Sequence, residues 1–348
     1  VNLTICFGEK LKIKKIFTAF LALAILTTPS CGSEEDSKTL TVYSGRSEKL
    51  VGPIFSDFEA TTGINLEIKY GSSNDLALAI STEGNKTQAD VFLSRSPGPT
   101  GYLADLDMLA NLDKTVLERV PVDRRSPDND WVGFAGRARV LVYNTDEIAT
   151  ADLPQSVFDL TDLLYKGLVA VPGSNSSFQD WFTVFRLRNG DEVAIKWLND
   201  MVANGARFYP KNRAIVEAVS RNEVTFGLVN HYYNYQEVAA NGDAQRSANH
   251  AFAPGDDGGL MIMATAAILD RSKNYDSANK LIAHLLSNGQ QRYLTDSVYE
   301  YPLAIGVEPS SVLPPTPIDT VGAVDINDMA AEFRRTIEII EASGILDQ

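Results

Sequence analysis

From Thr39 onward, short apolar runs alternate with amphipathic stretches. "TLTVYSG" reads as a strand, and the stretch from Ser47 to Thr62 places Leu50, Val51, Ile54, Phe55 and Phe58 on one helical stripe. Gly63 falls where that helix needs a left-handed residue to end it. "INLEIKY" predicts a second strand, "DLALAI" a second helix and "ADVFLS" a third strand. This β-α-β-α-β order predicts a parallel sheet wrapped by helices.

The unbroken run "VGFAGRARVLVYN" (Val132 to Asn144) is long enough for a strand that crosses between two lobes. A second α/β series follows: "LVAV", helices over about 178–188 and 191–203, "RFY", a short helix through "AIVEAV", and "TFGLVN". "GGLMIMATAAIL" (Gly258 to Leu269) is a second long apolar run, and helices from Asp276 close the chain. The pattern predicts two α/β lobes with a ligand cleft between them. One lobe comprises 39–136 and 266–348, with the C-terminal helices; the other comprises 137–265, with the crossing strands.

The N-terminal pattern differs. "EKLKIKK" is basic, and "IFTAFLALAIL" (Ile16 to Leu26) is an eleven-residue apolar core. A bilayer span needs about 20 such residues, so the run fits a signal peptide over 1–30. "TTPS" then leads to Cys31 and the polar "GSEEDS". This resembles a bacterial lipoprotein junction, with lipidation at Cys31 and a tether over 31–38. Thr28 departs from the leucine usual at that place. The expected location is the outer side of the cytoplasmic membrane, with membrane contact through a lipid anchor.

The net charge of −14 disfavours nucleic acid as a partner. Residues 1–30 hold four lysines and one glutamate, so the exported part is more acidic still. Both cysteines, Cys6 and Cys31, lie at or before the junction, which leaves no thiol for a disulfide, zinc site or nucleophile beyond it.

The motifs of catalysis are missing. There are three histidines, His231, His250 and His284, and no "GxSxG", "HExxH" or Walker loop. "PGDDGG" lacks the spaced oxygens of a calcium loop and reads as a loop feeding a strand. "GSNSSF" (Gly173 to Phe178) precedes a helix, where free N–H groups favour an anion; the spacing alone favours a plain N-cap. In "TFGLVNHYYNYQ", Tyr232 and Tyr233 stand at a strand-to-helix transition. Two phenols there could pack in a core, or meet a hard trivalent cation whose charge stabilises phenolate.

"LTVYSGRSEKLVGPIFSDFEATTGI", "ADVFLS", "WVGFAGRARVLVYN", "YPKNRAIVEAV", "FGLVNHYYNYQ" and "YEYPLAIGV" closely resemble, in order, the ferric-ion-binding proteins of bacterial ABC iron transporters. The resemblance runs from about Thr39 to the C-terminus. It implies a two-lobed periplasmic-binding-protein-like fold of type II, with lobes joined by β-strand hinges. It further implies a monomer without enzymatic activity that carries Fe³⁺ to a membrane permease and its ATPase. Tyr232 and Tyr233 would be phenolate ligands. A synergistic anion, phosphate or carbonate, would sit at Asn175, Ser176 and Ser177, with Asn212 and Asn230 as further donors. Arg137 and Arg139 would be its cationic partners.

Two positions depart from the family. Ser47 follows Arg46 where some members carry a histidine ligand, and Ser94-Arg95-Ser96 stands where others carry a carboxylate. Arg46, Ser47 and Arg95 are therefore assigned to the cleft without a ligand role. Asp75 reads as a helix-start acid before a ligand, His231 as structural and Tyr235 as packing. The rival reading is a binding protein for an organic anion or phosphorylated solute; an enzyme on the same fold is a more remote one.

Overall fold

The computed structural model describes residues 39–315 and 326–348. The expected signal peptide, the tether and Cys31 lie outside the described residues.

The first series is β1 (Thr39–Ser44), α1 (Glu48–Thr62), β2 (Asn65–Tyr70), α2 (Ser73–Glu83), β3 (Val91–Ser94), α3 (Pro97–Ala104), β4 (Leu109–Ala110) and α4 (Lys114–Leu117). β1 lies between β2 and β3 and is parallel to both, as the alternation predicts. α1 buries Val51, Ile54, Phe55 and Phe58 against them. It ends at Gly63, whose φ of 68° is left-handed and open to glycine without a Cβ penalty. α3, from "PGPTGYLA", was not evident from sequence, because its two prolines and two glycines read as loop. Pro97 stands at the start of the helix, where its missing N–H costs nothing.

β5 (Trp131–Asn144) is buried along all 14 residues. After it come β6 (Val169–Val171), α5 (Ser176–Asn189), α6 (Asp191–Ala203), β7 (Arg207–Phe208) and α7 (Asn212–Ser220). β8 (Phe226–Asn230), α8 (His231–Asn241), β9 (Ser247–His250) and β10 (Met261–Leu269) follow. The chain closes with α9 (Tyr275–Leu285), α10 (Asn288–Asp296), β11 (Tyr301–Pro302) and α11 (Ile326–Ala342).

Both series join one mixed sheet, in the order β2-β1-β3-β10-β5-β8-β6-β7. β10 runs antiparallel to β3 and β5, and β8 antiparallel to β5, so parallel pairing is confined to β2-β1-β3 and β8-β6-β7. β5 changes neighbours midway: Trp131 to Ala138 pair with β10, and Arg139 to Tyr143 pair with β8. The Arg139 N–H donates to the Leu260 carbonyl, immediately before β10.

Two large cores lie on either side of that change. One packs α1 and α9 through Phe55, Phe58, Leu281 and Ile282. The other packs α5 and α6 through Phe178, Trp181, Phe182, Phe185 and Trp197. Met329, Ile339 and Ile340 of α11 join the second core, although α11 also packs against α3 of the first series. Among the described residues, no helix is long and apolar enough to cross a membrane.

Gly227 shows how tightly β8 is held. A Cβ there would lie 2.1 Å from Ile215 Cγ2 and 3.1 Å from Val142 Cγ1. Gly227→Ala is expected to destabilise the fold by about 1–3 kcal/mol through overpacking, read as a lower denaturant midpoint at unchanged slope.

Candidate functional site

β8 ends at Asn230 and α8 begins at His231, so Tyr232 and Tyr233 occupy the first turn of a helix directly after a strand. Their rings stack with centroids 4.2 Å apart and planes 29° from parallel. Tyr232 is buried and Tyr233 half-buried. The two phenols are thus delivered side by side. Burial, then Tyr233 and Glu300, push the Tyr232 phenol well above its ordinary pKa, while Arg137 and Arg46 pull it down. The two arginines do not offset burial, so Tyr232 is neutral at pH 7.

The charges around the pair are concentrated on arginine. Arg137 and Arg139 extend from β5 on either side of the point where that strand changes neighbours, and both are about 1% exposed. None of the three guanidinium nitrogens of Arg137 has a hydrogen-bond partner. Such groups are rare in folded proteins and call for a ligand, ion or water. Burial, then Arg46, push the Arg137 pKa down, and Glu300 and Tyr232 oppose the shift. Arg46 follows β1 and is fully buried in a 2.6 Å ion pair with Glu300 Oε1. Burial works against its charge, but Glu300 and Tyr232 more than restore it.

A second cluster lies at the start of α5. Asn175 is the N-cap, and its Oδ1 accepts from the Ser177 N–H at 3.1 Å and the Ser177 hydroxyl at 2.7 Å. Arg139 donates to the Ser177 carbonyl at 2.5 Å and to Asn212 Oδ1 at 3.2 Å. The same Asn212 oxygen accepts from the Asn230 backbone N–H at 3.1 Å, one residue before α8. Asn212 Nδ2 also reaches the Ser177 hydroxyl at 3.5 Å. Thus α5, α7, β5 and β8 converge on one polar junction, with Ser176 at its edge as the first residue of α5. Burial, then Arg137, push Arg139 down to about 9, so it remains a cation at neutral pH.

Among the described residues, no group of three or more His, Cys, Asp or Glu side chains is placed to hold a metal.

The chain matches the family described as bacterial extracellular solute-binding protein over residues 86–327. The chain belongs to that family. The solute-binding protein is 30% identical over 270 residues to the major ferric iron-binding protein of Neisseria gonorrhoeae, covering 76% of this chain and 80% of that one. It is 25% identical over 340 residues to the Fe(3+)-binding periplasmic protein of Serratia marcescens, covering 97% and 100%. Its fold matches that of iron-bound HitA from Pseudomonas aeruginosa with a TM-score of 0.82, 30% identity, and coverage of 88% and 99%. The α/β periplasmic-binding-protein-like fold expected from the sequence is the observed one.

The remaining candidates of the solute-binding protein occupy varied positions. Ser47 is exposed and is the N-cap residue of α1, its side chain making no capping bond. Arg95 is half-buried and donates to the Gly45 carbonyl at 3.0 Å, beside Arg46. Asp75 is exposed in the first turn of α2. His231 is buried against β5, its Nδ1 3.2 Å from the Ala138 nitrogen, and its ring stacks on Tyr301 at 4.8 Å. Burial pushes its pKa down to about 4, which makes it a neutral packing group. Tyr235 stacks on Tyr299.

Two buried acids were missed. Glu300 lies inside the quoted "YEYP" but needs the tertiary contact with Arg46 to stand out. Asp180 sits in "FQDWF", where a lone acid among large apolar residues on a helix was a usable signal. It is 1% exposed, and neither of its oxygens is paired with an arginine.

Proposed function

We propose that this protein captures ferric iron outside the cytoplasmic membrane and delivers it to an ABC transporter permease and its ATPase. The observation that carries this reading is the stacked Tyr232–Tyr233 pair, set beside the unpartnered Arg137 guanidinium in a protein related to ferric-binding ones. Fe³⁺ would displace both phenolic protons and bind two phenolates. Its charge supplies the stabilisation that burial withholds from an isolated phenolate. Asn175, Ser176, Ser177, Asn212 and the Asn230 N–H would hold a synergistic anion, phosphate or carbonate, at the start of α5. Arg137 and Arg139 would balance its charge. Arg95, in place of a carboxylate ligand, suits an anion better than a cation. Residues 39–136 with 266–348, and 137–265, would act as the two lobes, working as a monomer. Lipidation at Cys31 would keep the protein at the membrane.

Titration of iron-free protein with ferric citrate, with and without phosphate or carbonate, tests the reading. A visible tyrosinate-to-iron charge-transfer band is expected. A colourless protein that gains thermal stability from organic anions instead would favour the rival solute class. Loading should also release about two protons per ion, because the ligands bind deprotonated. Protons compete with the metal for the phenolic oxygens, and burial raises the Tyr232 pKa, so affinity should fall as pH falls. A pH-stat titration reads both effects.

A further inference from the structure

We infer that Asp180 makes the anion site selective for oxyanions that keep an O–H, such as hydrogen phosphate or bicarbonate, over those with none, such as sulfate or nitrate. The inference rests on the anion site proposed above and names its ligand class.

Three buried charged side chains act on one another here without forming an ion pair. Arg137 has no partner on any nitrogen, and Arg139 Nε has none, its other donors being held by Ser177 and Asn212. Neither Asp180 oxygen is paired with an arginine, the Ser96 hydroxyl being the one donor that bears on it. Asp180 lies three residues beyond Ser177 on α5, one turn along the helix that begins at the proposed anion position. It faces the first series as well: a methyl group added at Gly98 would lie 3.9 Å from Asp180 Oδ1. The charges that bear on it are Arg137 and Arg139 from β5 and Arg95 from the turn after β3, together with the Ser96 hydroxyl. Arg139 in turn feels Asp180 and both phenols. The unpartnered Arg137 donors and the Asp180 carboxylate therefore belong to one electrostatic cluster.

Their hydrogen-bonding capacities define what fits. Arginine offers only donors, and an ionised carboxylate only accepts. Burial pushes Asp180 up to about 6, the three arginines and Ser96 opposing the shift, so at neutral pH it is still ionised. An oxyanion without a hydrogen would satisfy the arginines but press a negative oxygen against a buried carboxylate. An oxyanion with an O–H satisfies both sides, donating its hydrogen to Asp180 and accepting from Arg137. Sites that hydrogen-bond a particular ligand hydrogen reject analogues without it by about 10⁴–10⁵, because buried groups are left unpaired.

Calorimetric titration of the iron-free protein at pH 7.5 tests this without depending on iron. Wild type should bind phosphate and arsenate at least 10³-fold more tightly than sulfate and selenate, which match them in shape. In Asp180→Asn the amide can donate to sulfate, and the preference should shrink to within about tenfold. Equal binding of phosphate and sulfate by wild type overturns the inference, as does binding of neither. Full phosphate preference retained in Asp180→Asn overturns it too. The wild-type series needs no variant, so it decides the matter even if Asp180→Asn does not fold. Absence of a ferric band would count against the iron reading alone, because these titrations contain no iron.

Discussion

Changing Tyr232 and Tyr233 together to phenylalanine is expected to abolish the ferric charge-transfer band and lower iron affinity by about 10⁴-fold. The magnitude follows from tetrahedral zinc sites, where about 10–16 kcal/mol is shared among four ligands, or about 3 kcal/mol for each. Two lost ligands then cost about 6 kcal/mol, at 1.4 kcal/mol per decade. The fold should survive, because both rings keep their stacking and Tyr232 has no hydrogen-bond partner among the described contacts to lose. Competition against citrate, followed in the visible spectrum, measures the loss. Each single variant should retain a weaker band. A double variant with wild-type affinity would remove the phenols from the metal shell.

Glu300→Ala is expected to destabilise the protein by about 3–5 kcal/mol, the usual cost of leaving one partner of a buried pair unmatched. Both members of the Arg46–Glu300 pair are essentially inaccessible to solvent, so screening offers no relief. Glu300→Gln separates structure from site chemistry. It should still lower the denaturant midpoint, because Arg46 loses its counter-charge. Iron binding should nevertheless become easier, because Glu300 raises the Tyr232 pKa whereas Arg46 lowers it. Stability and affinity moving in opposite directions would be the signature. A parallel fall in both would mean that Glu300 acts only by holding the fold.

The elements that periodicity revealed are those whose faces differ in polarity. α1 was legible because five apolar positions share one stripe, and β5 because a continuous apolar run of that length has few other uses. β9, "SANH", carries no such contrast and is defined by its pairing with β5. β4 and β11 are two residues each, too short to show a period. The strand-to-helix junction at Asn230 and His231 was readable, and with it the side-by-side placement of the two phenols. The arginines and the polar residues of the cluster came through the resemblance alone, and their buried acidic partners did not come at all, because these contacts join residues far apart in the chain. Arg46 and Glu300 are separated by 254 positions, and no local pattern joins them. Asp180 was visible as an oddity in its own helix, but its meaning depends on Arg137 and Arg139, brought beside it by β5.

The change of neighbours along β5 carries a mechanical corollary. Arg137 lies in the stretch held by β10, and Arg139 in the stretch held by β8. A bend of the sheet between its halves falls on the peptide units joining them, so it turns one guanidinium relative to the other. The density of positive charge facing the phenols thereby becomes a function of bend angle. A transporter that pulled the halves apart would need no chemical signal to discharge the cargo: flexing one strand would itself dilute the field that keeps phenolates and anion charged around it.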